Sequence, residues 1–155
     1  MSEAGYVELP VIAWLSGQGS YTPGDQGLGW TYRDEATMAA LNRPLTDPLV
    51  ESLLIEALLR INDDVHTEAQ ARLAVNALRK TLTQPDRLTA NRETLDLLRD
   101  GATVVLTPGE PAKTVRFIEF DPARQRLNDF TTTNQYRVQG VRQCRDDTVL
   151  LVNGI

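Results

Sequence analysis

The hydrophobic repeat of this 155-residue chain changes at Gly101, and that change limits the folds that the chain can adopt. Before Gly101, apolar residues recur every three to four positions, which is the spacing of a helix that buries one face. After Gly101 they alternate with polar residues, which is the pattern of a half-buried strand. Helices followed by strands predict an α+β fold, in which N-terminal helices pack on a mostly antiparallel or mixed sheet.

Start and stop signals predict four helices. Asp47 followed by Pro48 is a typical helix start, because Asp accepts a backbone hydrogen bond and Pro has no N–H to satisfy. Thr67 and Gln70 form a capping-box pattern that opens the next helix. The predicted helices span residues 6–15, 47–62, 67–84 and 91–100, and a long loop is expected over residues 16–30, with a turn at Pro23-Gly24-Asp25.

Four strands are predicted after Gly101, over residues 102–107, 114–120, 130–138 and 148–152. In the second of these, Val115, Phe117 and Glu119 share one face because side chains alternate along a strand. Two adjacent acids, Asp146 and Asp147, are expected at the head of the last strand, where burial of their charge would need compensation. Asn153-Gly154 is a hairpin-turn signal.

Composition bounds the class of protein. A hydrophobic content of 41% and a charged content of 24% are typical of a globular protein, and 155 residues suit a single domain. The single Cys144 excludes an internal disulfide and a Cys-rich zinc site, and the single His66 excludes chemistry that needs several histidines. No apolar run could span a bilayer and no signal peptide is recognisable. A single cysteine fits a reducing cytosol, and we expect a cytoplasmic protein.

Charge is distributed unevenly along the chain. The net charge is −5, which argues against general coating of DNA. From residue 113 onward, however, seven basic residues stand against five acids, and six of the seven are arginines. Arginine suits bidentate contacts with phosphate. Two interpretations follow: a solvated sheet face, or a nucleic-acid surface.

The C-terminal block resembles a known family, the N-terminal nuclease domain of the type I restriction endonuclease R (motor) subunit. The residues that carry the resemblance are Asn128-Asp129-Phe130, Asn134-Gln135-Tyr136, Arg145-Asp146-Asp147 and Asn153-Gly154-Ile155. Upstream, Glu8 in the first helix and the run Arg60-Ile61-Asn62 agree with the same family. The resemblance covers nearly the whole chain.

The resemblance implies a restriction-endonuclease-like core of the PD-(D/E)xK type and Mg²⁺-dependent cleavage of double-stranded DNA. Asp147 occupies the position of the catalytic, metal-binding Asp of the family, and Glu8 that of a helical metal ligand. Asp146 stands where the family has Pro. Arg137, Arg142 and Arg145 are candidate contacts to DNA phosphate.

The family motif is completed by a Glu-x-Lys pair on the strand after the Asn-Gly turn, and no such pair occurs in these 155 residues. We therefore expect the chain to be part of a longer protein and to be inactive alone. ATP would be used only by motor domains elsewhere in that protein. Its expected partners are the methyltransferase and specificity subunits. The alternative is a docking module for those subunits or for the motor, without chemistry of its own.

Overall fold

The computed structural model describes residues 7–17, 27–140 and 142–155. Its fold is α+β, as predicted. The helices are α1 (Leu9–Ser16), α2 (Glu35–Ala40), α3 (Glu51–Ile61), α4 (Glu68–Leu82) and α5 (Arg87–Asp100), and a 3₁₀ helix of one turn spans Gln125–Leu127. The strands are β1 (Thr31–Tyr32), β2 (Ala102–Val104), β3 (Lys113–Val115), β4 (Phe130–Gln139) and β5 (Gln143–Val152). In the described part of the chain, no helix is long and apolar enough to cross a bilayer.

The chain divides into two compact units. The first comprises Met1–Val50 and Asp129–Ile155, and the second Glu51–Asn128. The prediction of a single folding domain over residues 1–155 stays a prediction. The predicted helix start at Tyr6 and the predicted turn at residues 23–25 lie outside the described residues.

The first unit contains a three-stranded mixed sheet with the order β1-β4-β5. β4 lies in the centre, parallel to β1 and antiparallel to β5, and helices α1 and α2 contact it. Its consecutive threonines Thr131, Thr132 and Thr133 are all buried. β-Branched side chains are favoured at such positions because they pack well on a pleated surface.

The Asn-Gly signal forms the turn that it predicts. Asn153 and Gly154 have φ values of 57° and 80°, and Val152 and Ile155 exchange backbone hydrogen bonds of 3.2 and 3.1 Å around them. Positive φ at both central residues is the geometry of a two-residue hairpin turn. Asn153 is fully buried, and its side-chain oxygen accepts a 2.6 Å hydrogen bond from the backbone N–H of Asp129. The turn is therefore fixed to the start of β4.

The second unit consists of α3, α4, α5 and the two-stranded antiparallel sheet β2-β3. The predicted apolar stripe of α3 is confirmed: Leu53, Leu54, Ala57, Leu58 and Ile61 are all buried. Helix α5 ends at Gly101 as predicted. At this glycine φ is 88°, and a Cβ would lie 2.7 Å from the carbonyl oxygen of Val115, so only glycine fits without a shift of the backbone.

The predicted antiparallel meander after Gly101 is wrong in its connectivity, because the four strands belong to two separate sheets. The strand predicted over residues 114–120 pairs with a neighbouring strand only as far as Val115. The predicted alternation nevertheless continues beyond the ladder, since Val115, Phe117 and Glu119 are buried while Arg116 is exposed. In place of ladder bonds, the Asn128 side chain accepts from the Glu119 N–H and donates to the Glu119 carbonyl.

Helix starts were predicted less well than helix faces. Asp47 does not cap α3, which begins at Glu51; the Asp47 carboxylate instead accepts from the N–H of Leu49 in a local turn. Helix α5 begins before Asn91, because Asp86 caps it by accepting from the N–H groups of Leu88 and Thr89. The side chain of Thr89 also donates to Asp86, and these hydrogen bonds lower the pKa of Asp86.

The capping box of α4 is confirmed and gives a first test of the fold. The backbone N–H of Gln70 donates to Oγ1 of Thr67, and Oε1 of Gln70 accepts from the N–H of Thr67. We expect Thr67→Ala to lower the free energy of unfolding by about 1 kcal/mol, measured by urea denaturation. Thr83→Ala, at the other end of the same helix, is the control. Equal loss in both variants would contradict a specific role of the cap.

Candidate metal site

Glu8 lies immediately before α1 and is the candidate site residue that the structure buries most. It is 6% exposed, and its carboxylate makes no capping hydrogen bond to the helix. Two amides on β4 hold it instead. Nε2 of Gln135 lies 3.0 Å from both Oε1 and Oε2 of Glu8, and Nδ2 of Asn134 lies 3.2 Å from Oε2. A buried carboxylate is tolerated where such donors replace water.

The convergence of two neighbouring residues on one carboxylate needs an irregular strand. In a regular strand, Asn134 and Gln135 would point to opposite faces of the sheet. Gln135 instead has a φ of 56°, in the left-handed region that glycine favours. The ladder pairs Asn134 with Thr148 and Tyr136 with Asp146, and passes over Gln135. Strained backbone of this kind is common at functional sites.

Asp147 lies in β5, across from this irregularity. The prediction that Asp146 and Asp147 stand at the head of a buried strand is wrong: both lie inside Gln143–Val152, on its exposed part. Their charges therefore stay hydrated and need no compensation. Asp147 falls between the two ladder pairs that flank Gln135. Among the described residues, the Asp147 carboxylate makes no hydrogen bond or ion pair.

Tyr32 extends the hydrogen-bond network on the other side of Asn134. Its hydroxyl donates to Oδ1 of Asn134 over 2.9 Å, so the Asn134 amide joins the phenol to Glu8. Burial raises the pKa of Tyr32, and the negative charges of Asp34 and Glu8 raise it further. The phenol therefore stays protonated at neutral pH and can keep donating. Asn134 is in turn oriented with its Nδ2 toward Glu8.

The oxygen atoms around Gln135 fit the donor preference of Mg²⁺, which binds carboxylate and carbonyl oxygens. Glu8 and Asp147 offer carboxylates, and Oε1 of Gln135 is buried with no hydrogen-bond partner in the described chain. The described residues contain no group of three His, Cys, Asp or Glu side chains that could hold a metal ion. This part of the chain thus supplies an incomplete set of hard donors.

The three candidate DNA contacts, Arg137, Arg142 and Arg145, lie on or between β4 and β5, at the end of the hairpin away from the Asn153-Gly154 turn. Arg137 and Arg145 face each other directly across the ladder, and both are exposed. Like charges at directly opposed positions are unfavourable. Arg137 pairs with Glu35 at 3.0 Å, and Arg145 has no such carboxylate partner among the residues described. A bound anion would reduce the repulsion between the guanidinium groups of Arg137 and Arg145.

The hairpin is secured to the rest of the first unit by Arg43. Its guanidinium lies 4.2 Å from the centre of the Tyr136 ring and donates to the carbonyl oxygens of Asp47 and Arg137. A cavity of about 220 Å³ opens beside it, between α2 and β4. Its walls include Met38, Arg43, Asn134, Gln135 and Tyr136.

Comparison with known proteins identifies the family. The model of the family described as type I restriction enzyme R protein N terminus matches residues 1–155, the whole chain. The chain belongs to this family. No curated protein and no solved structure matches it. The resemblance expected from the Asn128–Ile155 block is therefore confirmed for this R-protein N-terminal region.

Asn134 and Gln135 are the site residues that sequence reasoning missed as ligand-holding groups. Both residues carry the R-protein resemblance, but for Gln135 the sequence led us to expect only packing and hydrogen bonding within the sheet, and Asn134 was given no role. Two consecutive amides directly after the aromatic and β-branched run Phe130–Thr133 were the available signal, because buried amides need polar partners. The partner, Glu8, is more than 120 residues away and could not be read from the pattern.

Proposed function

We propose that this region forms part of the nuclease site of a type I restriction enzyme R protein, which cleaves double-stranded DNA with Mg²⁺. The observation that carries the proposal is the contact of buried Glu8 with Gln135, across the ladder from the exposed carboxylate of Asp147. Family membership makes a restriction endonuclease the appropriate class. A PD-(D/E)xK core is the corresponding architecture.

In this proposal Asp147 and Glu8 hold the metal ion, and they do so from opposite environments. Glu8 is buried and kept in place by Asn134 and Gln135, so its position is fixed before the metal ion binds. Asp147 is exposed and can rotate toward an incoming ion. When bound, Mg²⁺ polarises the phosphate and lowers the pKa of its bound water. Asp146, which takes the place of the family's Pro, adds a second negative charge nearby.

The arginines of the hairpin would position the DNA. Arg145 and Arg142 are exposed and carry no carboxylate partner in the described residues, so their guanidinium groups are available to phosphate oxygens. Arg137 would have to exchange its ion pair with Glu35 for phosphate. Such contacts fix the register of a protein on a duplex without reading its sequence. Sequence recognition then belongs to the specificity subunit.

A site of this family also needs Glu-x-Lys, and the sequence contains none: its two lysines, Lys80 and Lys113, are preceded at that spacing by Leu78 and Pro111. We therefore expect a polypeptide of residues 1–155 to leave supercoiled plasmid DNA intact with Mg²⁺, while binding Mn²⁺ weakly by calorimetry. The Mn²⁺ heat should disappear in Asp147→Asn. Cleavage that Asp147→Asn abolishes would overturn the expectation of inactivity, and absence of any Mn²⁺ heat would count against the metal site.

The wider assignments follow from the same proposal. The R protein would work in the cytoplasm with the methyltransferase and specificity subunits, and ATP would bind to motor domains outside these residues. The competing function is a docking module without chemistry. Metal binding separates the two, because a docking module has no reason to bind Mn²⁺ through Asp147.

A further inference from the structure

We propose that Gln135 is itself a ligand of the metal ion, through its side-chain carbonyl oxygen Oε1. This inference rests on the proposed nuclease function and adds a residue to that site. In the structure, the same amide holds Glu8 with its nitrogen. Gln135 would thus change from a hydrogen-bond donor to an oxygen ligand when the ion binds.

The first argument is the unequal use of the two ends of the amide. Nε2 contacts both oxygens of Glu8 at 3.0 Å, whereas Oε1 is buried and has no partner among the described residues. A buried amide oxygen without a partner carries a cost in stability. The local fold tolerates this cost together with a positive φ at the same residue. Two costs at one residue indicate a purpose other than stability.

The second argument is electrostatic. Rotation of the amide by half a turn would exchange Nε2 and Oε1 and direct the oxygen at the Glu8 carboxylate. An amide oxygen directed at a carboxylate is repelled by it, whereas the N–H groups attract it, and Nε2 is the end that contacts Glu8 in this structure. When a cation lies between the carboxylate and the amide, the orientation with Oε1 toward Glu8 is the favourable one. Mg²⁺ and Mn²⁺ bind carbonyl as well as carboxylate oxygens.

The third argument is position. Gln135 reaches Glu8 from β4, and the ladder places Asp147 of β5 at its level. Gln135 therefore contacts one carboxylate of the proposed site and lies level with the residue that carries the other. Gln135 also lines the cavity between α2 and β4.

The test measures Mn²⁺ binding by calorimetry. It uses polypeptides of residues 1–155 that carry Gln135→Glu or Gln135→Leu. Glutamate keeps the shape of the side chain but replaces the donor nitrogen by a charged oxygen. We expect Gln135→Glu to bind Mn²⁺ about tenfold more tightly than the wild type, because affinity rises with the charge of the ligands. When both proteins are measured without Mn²⁺, Gln135→Glu should have a lower Tm than the wild type. Gln135→Leu should bind about tenfold more weakly.

Gln139→Glu is the matched control, since Gln139 is an exposed glutamine on the same strand and the change adds the same charge. It should leave Mn²⁺ affinity unchanged. Weaker binding by Gln135→Glu would overturn the inference, because it would mean that Gln135 only donates to Glu8. Wild-type affinity in both Gln135 variants would also overturn the inference. If Asp147→Asn nevertheless lost Mn²⁺ binding, the proposed function would survive. If the wild type itself bound no Mn²⁺, both the inference and the proposed function would be overturned. Circular dichroism checks that each variant is folded.

Discussion

Replacing Arg124 by methionine is expected to lower the free energy of unfolding by about 2–3 kcal/mol, measured by urea denaturation. Arg124 neutralises Glu119, whose side chain is only 2% exposed. Nε of Arg124 lies 3.3 Å from Oε2 of Glu119, whereas the other nearby guanidinium, that of Arg116, lies at 3.6 Å and is largely exposed. The variant would leave a buried carboxylate with only the weaker of its two ion pairs.

The geometry of this pair makes the loss larger than that of a surface ion pair. Oε2 of Glu119 accepts no aligned hydrogen bond, although the charges are in contact, so its stabilisation is mainly electrostatic. Arg124 also donates to the carbonyl oxygen of Ile61 at 3.1 Å, and this bond would be lost too. An exposed pair such as Arg99–Asp96 should contribute far less, since water competes for both groups.

Arg126→Met is the matched control, because Arg126 is an exposed arginine two residues away with no ion pair in the described chain. It should change stability little. The double variant Arg124→Met with Glu119→Gln should recover part of the loss, because the uncompensated charge is then removed. If the double variant were as unstable as the sum of the two single variants, the interaction between Glu119 and Arg124 would not be the cause.

The sequence predicts faces better than boundaries, and the reason is physical. The buried stripe of α3 and the inward set Val115, Phe117 and Glu119 follow from periodicity, which local geometry imposes. Boundaries depend on which of several capping residues is used. Asp47 and Asp86 are equally good caps by type, but only Asp86 caps a helix, while Asp47 closes a local turn.

The elements that were missed are those that depend on distant parts of the chain. β1 has two residues and α2 six, too few for any periodic signal. β1 exists because Thr31 and Tyr32 pair with Thr131 and Thr132 of β4. The division of the strands into two sheets likewise depends on pairings that no strand sequence contains. Local pattern therefore gives the fold class but not the connectivity.

The candidate site could likewise be predicted only in part, because it depends on contacts between distant parts of the chain. Glu8 and Asp147 were predicted from the family resemblance; in the structure Glu8 contacts Asn134 and Gln135, and Asp147 lies in β5 at the level of Gln135. The role of the two amides could not be predicted, because a left-handed residue in the middle of a strand leaves no signature when it is neither glycine nor asparagine. The contact of Gln135 with Glu8 is known only from the structure.

The largest effect on function is expected from Asp147→Asn in an R protein that carries these residues, assembled with its partner subunits. Cleavage of unmodified DNA should fall by about a thousandfold or more if Asp147 is the metal ligand that we propose, because such a ligand contributes several kcal/mol to stabilising the transition state. Asparagine preserves size and removes the charge. DNA binding and ATP hydrolysis should be retained, since neither uses this carboxylate. The readout is conversion of supercoiled plasmid to linear DNA.

Asp146→Asn is the matched control, and the register of β5 makes it a strict one. Asp146 pairs with Tyr136, so it is one residue along and directed to the opposite face from Asp147. Its loss should leave cleavage within about threefold of the wild type, because the charge it removes is a neighbour of the ligand and not a ligand itself. Equal loss in the two variants would mean that cleavage depends on the negative charge of the hairpin in general. Full activity in Asp147→Asn would remove Asp147 from the metal site and leave Glu8 and Gln135 without their proposed role.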